Sequence, residues 1–356
     1  MTDRLSAIRA NFDDWQVDAL LLTSPANRRW ASGFTGSAAH LLIARDRAVL
    51  ATDSRYWERA AQEAPAYEVF QLRDSKDDMR NFLALAGGPR IGLEARHVTL
   101  AFHKQLAANE GVAWVPLPAT VEALRAVKSA DELAAIRVAA RLTDVAVALV
   151  PQLARPGMTE RAVAWELEKA MREAGAESVA FDIIVASGPN SALPHHHPGD
   201  RQLQAGDIVI VDLGAQVDGY KSDLTRSFYL GETAGDAFWG LYNTVSAAHQ
   251  AAVAGIRPGV TGKAVDALAR DLITAAGHGD HFGHGTGHGV GLEIHEEPRF
   301  SRLAEGTVIP AGAVMTVEPG IYLPGYGGVR IEDLLLVTAD GAEYLSAAPQ
   351  TPLIAI

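Results

Sequence analysis

Four acids stand where acids are costly. Residues 209–215 (VIVDLGA) read as a strand whose period-two alternation sets Asp212 on the face opposite Val211 and Leu213. In residues 221–230 (KSDLTRSFYL), Asp223, Thr225 and Ser227 share one face against Leu224 and Phe228. Asp218-Gly219 reads as the turn joining the two, so a hairpin with an acid on each strand is predicted. A second hairpin follows the same plan. Residues 314–322 (VMTVEPGIY) present Glu318, and after a Gly-rich turn residues 329–338 (VRIEDLLLVT) present Arg330 and Glu332 on one face. An acid in an apolar strand is destabilising unless it is paired or binds a metal. Four converging carboxylates would repel one another and take up protons, whereas two divalent cations would let all four ionise. The excess of hard oxygen donors predicts manganese, with cobalt or zinc as alternatives, and an imidazole or water to complete the coordination.

Histidines are at hand. Residues 283–296 (GHGTGHGVGLEIHE) carry His284, His288 and His295. The alternating glycines argue against a helix, so the His284/His288 spacing is not that of a zincin, and both H-E-x-x-H and G-x-G-x-x-G are absent. Glycine here lets backbone pass close to a ligand or a neighbouring strand; the alternative is a flexible Gly/His loop. His195 lies in residues 194–198 (PHHHP), behind a turn at 187–190 (SGPN), and one functional histidine is expected among the three.

These side chains need a scaffold, and the sequence contains a repeat that predicts one. Residues 155–175 (RPGMTERAVAWELEKAMREAG) return 102 residues later as 257–277 (RPGVTGKAVDALARDLITAAG). In each copy Pro-Gly-x-Thr is a turn into a helix that a glycine closes. The acids recur at nearly the same offset, so a duplicated helix–hairpin unit would bring four carboxylates to one pseudo-symmetric centre. Ser129 and Glu132 form a capping box ahead of an Ala/Val/Leu-rich run, which places a domain boundary near Ala126, between residues 1–125 and 126–356. Before it, helices over 3–15, 55–62, 77–86 and 100–109 alternate with strands over 17–23, 40–44, 48–53, 68–72, 90–94 and 113–116. That alternation predicts an α/β layer structure without chemistry of its own. The loop at 32–39 (SGFTGSAA) reads as a turn.

Composition narrows the function further. The chain has 356 residues, a length suited to two domains, with 31 Lys+Arg against 43 Asp+Glu and a net charge of −12, the wrong sign for a general nucleic-acid binder. With no Cys, there is no disulfide framework, thiolate metal site or Cys nucleophile. Residues 1–25 lack the apolar core of a signal peptide, and no apolar run approaches the length of a membrane span. The expectation is a cytoplasmic protein with no membrane partner.

Taken together, VDLGA with SDLTR, HGTGHGVGLEIHE, TVEPGIY and VRIED resemble the pita-bread metallopeptidases, in their aminopeptidase P/prolidase branch. The N-terminal SGFTGSAA and LATDSRYWE are similar to the start of short bacterial Xaa-Pro aminopeptidases. The resemblance implies an α/β creatinase-like N-terminal domain followed by an α+β pita-bread catalytic domain with an internal pseudo-two-fold. It implies metal ligands at Asp212, Asp223, His288, Glu318 and Glu332, with Asp223 and Glu332 bridging both ions. It further implies that Glu318 relays a proton, that His195 and His295 bind the oxyanion or substrate carbonyl, and that His284 lines a proline pocket. Arg330 would orient the metal carboxylates. The expected substrates are peptides with proline at position two, cleaved by an Xaa-Pro aminopeptidase. The alternative is an Xaa-Pro dipeptidase, in which Arg299 would bind the dipeptide carboxylate; short aminopeptidases carry this arginine too, so it does not separate the two. A metal-free peptide-binding relative is the reading from another class, and the intact ligand set argues against it. The family likeness also implies a homodimer, with Trp30 and Phe34 either at the partner contact or in the core.

Overall fold

The computed structural model describes residues 2–356, and its contacts divide the chain into Met1–Arg125 and Ala126–Ile356. The first unit is built on strands β1 (Ala19–Leu22), β2 (His40–Ala44), β3 (Ala48–Thr52), β4 (Glu68–Gln71), β5 (Arg90–Glu94) and β6 (Ala113–Leu117), in the order β4-β3-β2-β1-β5-β6. β1–β2 and β2–β3 are antiparallel; the other three pairings are parallel. The runs ALLL in β1 and AVLAT in β3 are buried at every position, as strands covered on both faces require.

Two local features depart from the sequence reading. The first helix is Thr2–Arg9, shorter than expected, because the chain beyond it tightens into i→i−3 bonds and turns at Gln16, where φ is 55°. An additional helix, Pro25–Ser32, follows an N-cap at Ser24, whose side chain accepts from the Asn27 N–H, with Pro25 in the first turn. The Ser-Pro pair was its signal. Trp30 and Phe34 are 5% and 2% exposed and belong to the interior of this unit, so neither is offered on its surface.

In the second unit, Ser129 and Glu132 complete the capping box that opens the helix Ala130–Val147. The repeat is visible as matched construction. Thr159 caps the helix Glu160–Glu173 and Thr261 caps Gly262–Ala275. Backbone bridges pair Thr159 with Gln202 and Thr261 with Val308. Gly157 N–H donates to the Leu203 carbonyl, and Gly259 N–H to that of Ile309.

Each half carries its strands in two sheets. The first half contains β7 (Ser178–Val179), β8 (Ile184–Ser187), β9 (Ile208–Leu213), β10 (Ala215–Val217), β11 (Tyr220–Lys221) and β12 (Leu224–Leu230). The second contains β13 (Gly287–Gly289), β14 (Glu296–Phe300), β15 (Val314–Val317), β16 (Gly320–Leu323), β17 (Gly327–Arg330) and β18 (Asp333–Val337), followed by β19 (Ala342–Tyr344) and, pairing back onto β12, β20 (Leu353–Ile354). Ala139, Val163, Leu167 and Met171 from the first helix pair pack on Val209, Val211 and Leu213. Val245, Val265 and Ile273 from the helices Asp236–Gly255 and Gly262–Ala275 pack with Met315, Val317 and Leu335. Burying such side chains is worth about 1.5–3 kcal/mol each, enough to dictate which face of β9 turns inward. Asp212 is left on the other face. Among the described residues no helix is long and apolar enough to cross a membrane.

Candidate metal centre and active site

Three of the four acids sit where their hairpins break, and Asp212 lies within β9, one residue before its end. β9 pairs with β12 with Thr225 opposite Asp212, and the ribbon continues through β10 and β11 to a turn at Asp218 (φ 47°) and Gly219 (φ 72°). Asp223 occupies the interruption just before β12. Likewise Glu318 lies between β15 and β16, and Glu332 between β17 and β18, with Val317 opposite Asp333 and Gly320 opposite Arg330. Strand interruption frees backbone at these points, and glycine allows the approach. A Cβ on Gly214 would stand 2.0 Å from the Ser222 carbonyl oxygen, and one on Gly287 2.0 Å from that of Thr316. The Gly/His stretch is therefore partly a strand, β13, and its glycine serves a neighbouring strand.

The cavity bounded by these breaks has a volume of about 740 Å3, and all ten residues singled out from the sequence line it. Donor atoms of Asp223, His288 and Glu332 lie within 4.8 Å of one another, and the three side chains are buried. His288 Nε2 is 3.4 Å from Glu318 and 3.6 Å from Asp223. Its Nδ1–H donates to the Gly289 carbonyl at 3.1 Å, which leaves the Nε2 lone pair facing the acids. Burial, then the nearby His295, push the His288 pKa down to about 3, so it is neutral and suited to ligation. Asp212 accepts from Arg330 Nη2 at 2.7 Å through Oδ2, while its buried Oδ1 has no hydrogen-bond partner. A buried carboxylate oxygen without a partner, beside three converging acids and a neutral imidazole, is the donor set a divalent cation fits.

The electrostatics agree. Burial first, then the charges of Glu332, Asp212 and Glu318, hold Asp223 well above the usual carboxylate range. Burial followed by Glu318 and Asp212 does the same for Glu332, and burial raises Asp212 against the pull of Arg330. Burial raises Glu318 to about 8. Carboxyls that hold protons more tightly when folded stabilise the metal-free protein below the ordinary pKa of 4.5, and that stability is lost as pH climbs to about 8. Bound cations compete with the same protons, so their contribution grows over this window. The expected result is a gap in thermal midpoint, manganese against chelator, that widens steadily from pH 5 to pH 8. A constant gap would count against the cluster as a metal site.

Several residues with no role assigned in the sequence hold this arrangement. Thr225 Oγ1 donates to Glu332 Oε2 at 2.6 Å and accepts from Arg330 Nε at 3.1 Å. Arg330 Nη1 donates to the Tyr322 hydroxyl at 2.9 Å, and that hydroxyl meets His284 Nε2 at 2.8 Å. His284 Nδ1 donates to the Gly285 carbonyl, so Tyr322 is the donor to Nε2. Both His284 nitrogens are thus engaged, and the cavity receives its ring. Arg270, fixed by the buried Asp266, donates to the carbonyls of Phe282 and His284 and so holds that segment in place. Thr225 had a signal in sharing the face of Asp223; Tyr322 had only its place at the end of TVEPGIY. His295 is exposed, its ring centroid 4.5 Å from that of His288, and the exposed Arg299 stands 3.6 Å from Glu297.

A duplicated helix–hairpin domain whose acids and one imidazole meet at its centre defines the class: a pita-bread metallohydrolase. The chain belongs to metallopeptidase family M24, whose profile matches residues 134–339, and residues 4–127 match the creatinase/prolidase N-terminal domain. Members of this family work with divalent metal ions. The chain is similar over 99% of both lengths to a solved Xaa-Pro dipeptidase from Bacillus anthracis, with 40% identity and a TM-score of 0.96. It is 36% identical to an Xaa-Pro dipeptidase of Pyrococcus horikoshii over 97% of each chain. An X-Pro aminopeptidase from Thermotoga maritima is also 36% identical, with a TM-score of 0.87 over 96% of this chain and 98% of that one.

Proposed function

We propose that this chain is a dinuclear metal-dependent Xaa-Pro dipeptidase, the second of the two expectations, rather than an aminopeptidase acting on longer peptides. The observation that carries this choice is the full-length likeness to the dipeptidase from Bacillus anthracis. The N-terminal segments that pointed to an aminopeptidase lie in a domain named for creatinase and prolidase alike, so they do not separate the two. Arg299, 53% exposed on the cavity wall, offers a guanidinium for the free carboxylate of a dipeptide.

Asp223 and Glu332 would hold both ions, Asp212 would complete one, and His288 with Glu318 the other. The oxygen-rich donor set favours manganese. When bound, the ions supply a water activated near neutral pH and polarise the carbonyl preceding proline. The Glu318 carboxylate would accept the proton that the attacking water gives up and pass it to the departing proline nitrogen. His195 and His295 donate N–H groups to the oxygen on which negative charge develops. His284 presents its ring to the proline, and Arg330 keeps Asp212 and Thr225 in place.

The test offers Leu-Pro and Leu-Pro-Xaa tripeptides side by side with added manganese. The dipeptide should lead in kcat/KM by about 10–100-fold, the worth of one charge-assisted hydrogen bond to Arg299. Equal or faster cleavage of the longer peptides would return the chain to the aminopeptidase reading.

A further inference from the structure

His195 lines the cavity from an exposed position, and among the described residues nothing hydrogen-bonds its ring. Its place is therefore set by the chain on either side. On one side, the Pro194 carbonyl accepts from Arg330 Nη1 at 3.4 Å. On the other, His196, which also lines the cavity, meets a carboxylate: its Nε2 lies 2.8 Å from Glu160 Oε2. Glu160 is fully buried at the start of its helix, yet it is not a member of the acid cluster at the metal centre.

Every hydrogen bond of the Glu160 carboxylate runs to the segment that carries His195. Oε1 accepts from Ser187 N at 2.8 Å, Ser187 Oγ at 2.7 Å and Asn190 Nδ2 at 3.0 Å. Oε2 accepts from His196 and, at 3.1 Å, from the Gly199 N–H. One carboxylate thus gathers the beginning, middle and end of residues 187–199. Burial opposes its charge, but the donors from Asn190, His196 and Ser187 hold its pKa below the usual range, so it accepts at every one of these contacts. His196 Nε2 must then be the donor. Backbone bonds from Leu193 N to Asn190 O and from His196 N to Leu193 O close the turn within that frame.

We propose that Glu160 and His196 are positioning residues for peptide hydrolysis, a buried carboxylate–imidazole pair that acts through the loop to fix His195 in the cavity. This rests on the reading above that His195 serves the reaction. A misplacement of about 1 Å in a reacting group can cost 10²-fold in rate, so an anchor adjacent in the chain should have a large effect through the loop it holds.

The experiment measures kcat and KM on Leu-Pro with manganese for wild type, His195→Ala, His196→Ala, His196→Gln and the His195→Ala/His196→Ala double variant, together with metal content and thermal midpoint. His196→Ala should lower kcat/KM by about 10–100-fold, mainly in kcat, with metal content and midpoint as in wild type. His196→Gln, which keeps a side-chain N–H donor for Glu160, should recover part of the loss. In the His195→Ala background, His196→Ala should change kcat/KM by less than about twofold, because groups that act as a unit are not additive. An equal loss in both backgrounds, or wild-type kcat/KM in His196→Ala, would overturn the proposal while His195 kept its role. If His195→Ala itself left kcat/KM unchanged, the role of His195 and the positioning pair would fall together. Glu160→Gln supplies a second route to the same loss should it fold.

Discussion

Replacing Asp223 by asparagine is expected to abolish hydrolysis and, at the same time, to make the metal-free protein more stable. The two effects share one cause. Asp223 is 5% exposed, and after burial the largest influences on it are the charges of Glu332, Asp212 and Glu318. Without metal, a neutral amide relieves that repulsion. With metal, the same change removes a carboxylate from the group it forms with His288 and Glu332. Activity should fall by at least about 10³-fold, the upper range for taking one charge-stabilising group from a preorganised site. Metal content should drop with it. In chelator the thermal midpoint should rise by about 2–4 °C for each kcal/mol of repulsion removed, and the rise should shrink as pH falls and the raised carboxyls take up protons. Wild-type turnover and metal content in Asp223→Asn would defeat the two-ion reading outright.

Arg330→Met should unfold at lower denaturant and lose activity together. Arg330 is 3% exposed and donates to Asp212, Tyr322, Thr225 and the Pro194 carbonyl. Burial works against its charge, but Tyr322, Asp212 and Glu318 hold the guanidinium protonated. Taking one partner from a buried charge pair costs about 3–5 kcal/mol, against about 0–1 kcal/mol for a surface pair. The Arg45–Asp13 pair, 52% and 85% exposed, is the internal comparison, and Arg45→Met should be close to neutral. Lysine should not rescue Arg330, because a single ammonium cannot reproduce a fork that serves four acceptors. Urea titration and kcat/KM on the same preparations check both statements. An Arg330→Lys variant with native stability and rate would show that the charge alone suffices.

The sequence by itself was enough to single out the candidate donors and their local setting. Alternation within VIVDLGA separates Asp212 from the core-facing Val211 and Leu213, and Asp218-Gly219 specifies a tight turn, because both depend only on near neighbours along the chain. The repeated Pro-Gly-x-Thr turns mark two helix starts for the same reason. The tertiary structure decided which of these groups meet. Asp212 joins Arg330 across 118 residues, and Thr225 joins Glu332 across 107, through pairings that no local pattern encodes. It also decided that Trp30 and Phe34 are interior, that Tyr322 links His284 to Arg330, and that Glu160 serves the loop of His195. A residue's facing follows from its neighbours in sequence, whereas its partner is settled only when distant segments are packed against one another. At this site the chemistry lies in the partners.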